Sequence, residues 1–175
     1  MADGTLKVGT ITTSSGSGNI TIGSGVTLLS NVPAFEARLG SDQGISNNTN
    51  TKITFDSEYF DTDNCYDNSS NYRFTPTKAG KYYCYSTVRI ATGNANLLNS
   101  VELSFYKNGS AFPDNNVPFW RTDSNPWRDI TCRIGNTIEF NGTTDYIEIF
   151  TDVLQASGTP TLARGSSFGA YRIGA

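Results

Sequence analysis

FDSEYFDTDNCYDNSSNYRFTPTKAGKYYCYSTVRI, residues Phe55 to Ile90, decides the fold class. Its last stretch, Lys81 to Ile90, alternates strictly. Tyr82, Cys84, Ser86, Val88 and Ile90 share one face of an extended chain, because successive side chains on a strand point to opposite faces. Just before it stands Gly80, a residue suited to a backbone conformation closed to side chains with a Cβ. Upstream, Tyr72 to Thr75 reads as a short strand after the turn Asp67-Asn68-Ser69-Ser70. Lys52 to Phe55 reads as another short strand.

The same period of two continues downstream. Val101, Leu103 and Phe105 alternate with Glu102, Ser104 and Tyr106, and end at the turn Lys107-Asn108-Gly109-Ser110. Ile130, Cys132 and Ile134 alternate with Thr131 and Arg133, and Ile147 and Ile149 with Tyr146, Glu148 and Phe150. Phe168 to Ile173 closes the chain. The Asn-Gly pairs at 108–109 and 141–142 predict hairpins. Phe35, Phe55, Phe74, Phe105 and Phe168 are the expected core aromatics. No window carries a helical period. About ten short antiparallel strands with regular turns predict an all-β jelly-roll sandwich over residues 32–175.

Composition agrees. Asn, Thr, Ser and Gly make up 74 of 175 residues, beside 10 Phe and 9 Tyr, which favours strands and turns and excludes an all-α fold. Thirteen basic against sixteen acidic residues leave a net charge of −3, with no basic footprint for nucleic acid or anionic lipid. No apolar run is long enough to span a bilayer. Histidine is absent, which removes Ser-His and Cys-His nucleophile pairs and most zinc and iron sites. The three cysteines, Cys65, Cys84 and Cys132, form no Cys-x-x-Cys pair and read as buried small hydrophobes. No catalytic site is expected.

Residues 1–31 differ from the rest. They hold no aromatic residue and two charges, Asp3 and Lys7, with short apolar alternations (Leu6, Val8; Ile20, Ile22; Val26, Leu28) between Gly/Ser clusters. This is an extended N-terminal arm. The first residues, Met1-Ala2-Asp3-Gly4, lack the pattern of a secretory signal.

The head resembles the globular-head domain of the complement one-q family, a jelly roll of the tumour-necrosis-factor-like class. Phe55 is followed after five residues by Asp61, after four by Tyr66, after seven by Phe74, and after five by Gly80 and then Tyr82. The family has six residues where seven separate Tyr66 from Phe74, and aromatics where this chain has Cys84 and Ser86. Pro33 to Leu39 is similar to the family's first strand, Asn64-Cys65-Tyr66-Asp67 to its Asn-His-Tyr-Asp element, Leu103 to Gly109 to its Leu-Tyr-Lys-Asn-Gly turn, and Ser166-Ser167-Phe168 to its closing strand. The resemblance implies a homotrimer that binds and does not catalyse. The family's collagen stalk has no counterpart here. The arm is similar instead to N-terminal segments of bacteriophage structural and fibre proteins.

Double-faced strands supply the expected trimer contacts: Tyr83 and Tyr85 oppose Tyr82 and Cys84, and Tyr146 and Phe150 oppose Ile147 and Ile149. The stretch from Phe112 to Asp129 reads as a loop between strands. Its Phe119, Trp120, Arg121, Trp127 and Arg128 are the candidates for stacking on sugar rings or gripping a protein partner. Asp61-Thr62-Asp63-Asn64 spaces oxygen ligands as calcium loops do but lacks the Gly and distal Glu of the twelve-residue loop; apart from that calcium possibility no cofactor is expected. The acidic pairs Asp61 with Asp63 and Glu148 with Asp152 read as solvated loop and surface acids.

The expectation is therefore a trimeric, virion-surface binding protein of a bacteriophage, a fibre-like adhesin or a capsid decoration protein. Residues 1–31 dock on other virion proteins and the head meets host carbohydrate or protein. The alternative is a free soluble lectin or adhesin of the same fold. Ordering the arm costs about 1–2 kcal/mol of backbone entropy per residue, which its few apolar side chains offset poorly at about 1.5–3 kcal/mol each. Deleting residues 2–30 is thus expected to leave the head's melting temperature almost unchanged in calorimetry and to abolish attachment to the particle. Unfolding of the truncated head, or normal docking, contradicts this.

Overall fold

The computed structural model describes residues 32–92, 98–120 and 128–174, besides Ser24, with the backbone alone over 114–120. The chain divides into two units at Asn31/Val32. The arm, Ser24 apart, lies outside the described residues. Among those residues the chain forms thirteen strands and no helix: β1 (Ala34–Arg38), β2 (Gln43–Gly44), β3 (Thr51–Lys52), β4 (Ser57–Asp61), β5 (Tyr66–Asp67), β6 (Arg73–Phe74), β7 (Gly80–Ala91), β8 (Leu98–Lys107), β9 (Ser110–Trp120), β10 (Asp129–Phe140), β11 (Ile147–Gln155), β12 (Thr161–Leu162) and β13 (Ser167–Gly174).

Two antiparallel sheets face each other. The larger runs β2-β12-β7-β13-β1-β4, with β10 on the other edge of β7; the smaller runs β5-β6-β11-β8-β9, with β3 also on β11. β7 pairs along its whole length with β10, from Gly80 opposite Phe140 to Ala91 opposite Asp129. Its second edge carries β13 over Lys81 to Thr87 and β12 over Ile90 and Ala91. β11 has the same place in the smaller sheet, with β8 on one side and β3 and β6 on the other.

The alternation read from the sequence is the alternation of burial. Tyr82, Cys84, Ser86, Val88 and Ile90 point into the sandwich and Lys81, Tyr83 and Arg89 out of it. All five expected core phenylalanines are fully buried. Phe35 is their hub: it stacks on Tyr66 at 4.7 Å and Phe74 at 4.5 Å, and meets Phe168 edge-on at 4.9 Å. Phe74, Tyr82 and Phe140 form a second set of edge-on contacts, a favoured arrangement of ring quadrupoles. The inward polar groups find partners, as buried polar groups must. Ser86 donates to the Ser167 carbonyl (2.8 Å) and Thr151 to that of Glu102 (2.8 Å). The three cysteines are free and buried, and burial pushes the Cys132 thiol up to about 11.

Turn chemistry follows the backbone. Gly80 has φ +137°, and a Cβ there would collide with the Gly174 carbonyl. Asn108 and Gly109 have φ of 52° and 80°, the two left-handed residues of a tight hairpin turn between β8 and β9. The second Asn-Gly, at 141–142, does not make the expected hairpin. β10 belongs to the larger sheet and β11 to the smaller, so the chain crosses between sheets here. Asn141 Oδ1 accepts the N–H groups of Thr143, Thr144 and Asp145 and holds the wider turn. The stretch after Phe112 is also corrected: the chain remains in β9 through Trp120, paired to β8. Among described strands β9 pairs with β8 alone, and an edge strand tolerates Pro113 and Pro118 because its outer edge needs no donor.

Phe35→Ala is expected to lower unfolding free energy by about 3–5 kcal/mol, since it empties the hub of the aromatic cluster. Urea denaturation measures it; a loss below about 1 kcal/mol contradicts the assignment of Phe35 as that hub.

Candidate functional site

The outer face of the larger sheet is built around two glycines. Gly135 on β10 and Gly169 on β13 stand on either side of Tyr85, each its register partner. Neither glycine needs an unusual φ. They are needed because aromatic rings lie over them. A Cβ on Gly135 would run into the Tyr83 hydroxyl, and one on Gly169 would sit 2.5 Å from the Tyr85 ring and 2.9 Å from the Phe35 carbonyl. The tyrosines therefore lie down on the sheet. Tyr83 and Tyr85 stack at 6.3 Å, and Tyr171 tilts against Tyr83 at 5.7 Å.

Polar groups anchor the rings. The Tyr85 hydroxyl donates to Glu36 Oε2 (3.1 Å), and Glu36 Oε1 accepts from Arg38 Nε (2.9 Å) and Nη2 (2.7 Å). The Arg38 guanidinium lies 4.3 Å from the centre of the Tyr59 ring. Burial, with the Glu36 charge added, pushes the Tyr85 phenol up to about 12. Among the described residues the exposed large hydrophobics are Val32, Tyr59, Phe60, Tyr83, Tyr171 and Ile173. All six lie on β4, β7 or β13 or lead into β1, within the larger sheet. The described side chains of the smaller sheet include none.

The expected trimer contacts are divided by this geometry. Tyr83 and Tyr85 belong to the face just described. Phe150 lies on β11 and Tyr146 immediately before it, on the smaller sheet, so the four do not form one layer. Both rings of the second pair are covered within the chain. Phe150 packs against Tyr106 at 4.1 Å under the Lys52 ammonium, and Arg73 lies over Tyr146 at 4.3 Å. Lys52 also pairs with the buried carboxylate of Glu148.

Phe119 and Trp120 stand on β9 opposite Val101 and Ser100. Arg121 and Trp127 lie outside the described residues. The Arg128 carbonyl accepts the backbone N–H (3.1 Å) and hydroxyl (2.9 Å) of Thr92. In the calcium-like segment, Asp61 accepts the N–H groups of Tyr66 (2.7 Å) and Asp63 (3.2 Å), and the Thr62 hydroxyl joins the first residues of β1. Its carboxylate is thus committed to the turn. Among the described residues no three His, Cys, Asp or Glu side chains gather as a metal site would require. Glu36, Arg38, Tyr59, Phe60, Tyr171 and Ile173 were not legible as site residues. The alternation of β13 places Tyr171 and Ile173 opposite Phe168 and Ala170, which is the one signal that marks them.

Neither a protein-family model nor a curated protein sequence matches the chain. Solved structures share its architecture. The chain is similar to the globular domain of the zebrafish complement 1qA protein, with TM-score 0.52 and 13% identity over 81% of this chain and 97% of that one. It is similar to the Eiger TNF of S. frugiperda, with TM-score 0.52 and 8% identity over 81% and 91%. It is also similar to murine APRIL in a crystal structure at pH 5.0, with TM-score 0.53 and 11% identity over 81% and 99%. The fold is the complement one-q and tumour-necrosis-factor jelly roll. At this identity the likeness concerns the fold, and the expected head architecture is the one observed.

The tyrosines give this fold a titration signature. Burial pushes the Tyr82 phenol up to about 12 and that of Tyr66 higher still, as it does Tyr85. Unfolded phenols ionise near pH 10, so the unfolded chain loses these protons first. Their stabilisation is complete below about pH 10 and is lost as the pH rises towards 12. The urea midpoint is expected to fall across this window, and less steeply in Tyr85→Phe. An identical slope in the two proteins contradicts the role given to Tyr85.

Proposed function

We propose that this chain forms a homotrimer through the outer face of its larger sheet and serves as a non-enzymatic display head on the surface of a bacteriophage particle, held there by residues 1–31. One observation carries the assembly: every exposed large hydrophobic among the described residues falls on one sheet. Single apolar residues scattered on a surface need no explanation, but a concentration on one face marks an interaction surface. Tyr83, Tyr85 and Tyr171, seated and oriented, suit an interface in which rigid rings pack at low entropic cost. A closed symmetric ring buries such a face and leaves no open end.

The virion role is supported by the arm. Its Gly, Ser and Thr content and short alternations are similar to phage structural segments, and its few apolar side chains suit contact with a neighbouring protein. A fibre-like adhesin and a capsid decoration protein are both compatible with a small head on such an arm. The absence of histidine supports a binding role over catalysis.

Analytical ultracentrifugation of the isolated protein is expected to give three times the chain mass of 19.0 kDa. The double variant Tyr83→Glu/Tyr171→Glu is expected to sediment as a folded monomer. Gly169→Ala, which unseats Tyr85, is expected to weaken assembly at least about tenfold, or about 1.4 kcal/mol, while Phe150→Glu leaves it intact. A wild-type protein that remains monomeric at micromolar concentration refutes the trimer. Mass spectrometry of purified particles tests the virion role, and absence of the chain from them refutes it.

A further inference from the structure

A pocket of about 500 Å³ opens beside β5 and β6, a volume in the range that small ligands fill. Asn64, Asp67, Asn68, Asn71, Arg73 and Thr75 are among the residues that line it, so its wall offers amides, a hydroxyl, one guanidinium and the Asp67 carboxylate. The aromatic residue at its base, Tyr66, contributes no stacking surface. Its ring packs on Phe35 at 4.7 Å and its hydroxyl donates to the Phe55 carbonyl (3.0 Å). A ligand here is recognised by hydrogen bonds and charge.

Arg73 supplies the charge. In the four ion pairs among the described residues, Arg38, Lys52, Arg89 and Lys107 each sit on a carboxylate. Arg73 does not, although Asp67 is its direct cross-strand partner and opposite charges so placed normally pair. The Asp67 carboxylate is turned into its own loop. Oδ1 accepts the N–H groups of Ser69 (3.0 Å) and Ser70 (2.9 Å), and Oδ2 accepts the N–H (3.1 Å) and side-chain amide (2.7 Å) of Asn71. The guanidinium instead lies over the Tyr146 ring, 4.3 Å from its centre. This contact holds the guanidinium through its face and leaves its N–H donors for an outside acceptor. A planar fork of this kind matches a carboxylate with two parallel hydrogen bonds.

We propose that this pocket binds an acidic sugar, the carboxylate of a uronic or sialic acid residue on Arg73 and its hydroxyls on the surrounding amides. The pocket lies beside the smaller sheet, and the site stands or falls independently of the virion role.

The test uses full-length protein labelled for nuclear magnetic resonance and titrated with 3′-sialyllactose, a glucuronate-terminated disaccharide, lactose and sodium sulfate. At least one acidic sugar is expected to shift the side-chain amides of Asn68 and Asn71 saturably, at least about tenfold more tightly than lactose or sulfate. Arg73→Ala is expected to lose that preference and Arg73→Lys, which keeps the charge but not the fork, to retain part of it. Asn68→Ala, which leaves Arg73 and its ring in place, is expected to weaken binding severalfold. Any of four results overturns the proposal: equal affinity for lactose, equal affinity for sulfate, shifts confined to the indole signals of Trp120 and Trp127, or no shift by any probe at about 10 mM.

Discussion

One strand has to serve two surfaces. β7 hydrogen-bonds along both edges, to β10 on one side and to β13 and β12 on the other, so it cannot rotate or slip without breaking two ladders. A slip of one residue would exchange its faces, putting Lys81 and Arg89 into the core and Tyr82, Val88 and Ile90 into water. The buried set on one side of β7 therefore fixes the register of the whole larger sheet. That register brings Gly135 and Gly169 level with Tyr85 and forms the seats for the rings.

The inner side of that strand meets a core that is unusually aromatic for a chain of this size. Phe35, on β1, touches aromatic residues from β5, β6 and β13, and so ties the two sheets together at one point. The rings meet by stacking and by edge, arrangements worth about 0.5–1.5 kcal/mol beyond burial alone. Where the family's pattern has aromatics on β7, this chain has Cys84 and Ser86. Both are buried, and Ser86 finds its acceptor on the neighbouring β13.

The two outer faces differ in how their aromatic residues are treated. On the smaller sheet two rings are capped by a cation from the same chain, Lys52 over Phe150 and Arg73 over Tyr146. On the outer side of the larger sheet Tyr59 has such a cap, while Tyr83 and Tyr171 are exposed. Such cation–π contacts are worth about 0.5–1 kcal/mol at exposed sites and cover the ring face. The exposure of Tyr83 and Tyr171 leaves one face suited to burial and the other to solvent and soluble ligands.

Period-two alternation, with the turn signals and composition beside it, determined the class of fold, the strands β7, β8, β10, β11 and β13 and the buried faces of the first four, and the Asn-Gly pair determined the turn at Asn108-Gly109. These depend on neighbours within one strand or one turn, where side-chain direction is set by the backbone. What only the tertiary structure decided involves residues far apart in the chain. Pro113 and Pro118 read as loop residues, yet they lie in β9, because a strand at a sheet edge needs no donor on its outer side. Asn141-Gly142 reads as a hairpin, yet its flanking strands join different sheets. Tyr83 with Tyr85, and Tyr146 with Phe150, look alike in sequence, yet they come to lie on opposite sides of the sandwich. The freedom of Arg73 is of the same kind. Asp67 stands opposite it, and only the folded loop shows that the carboxylate is already held by the N–H groups of Ser69, Ser70 and Asn71.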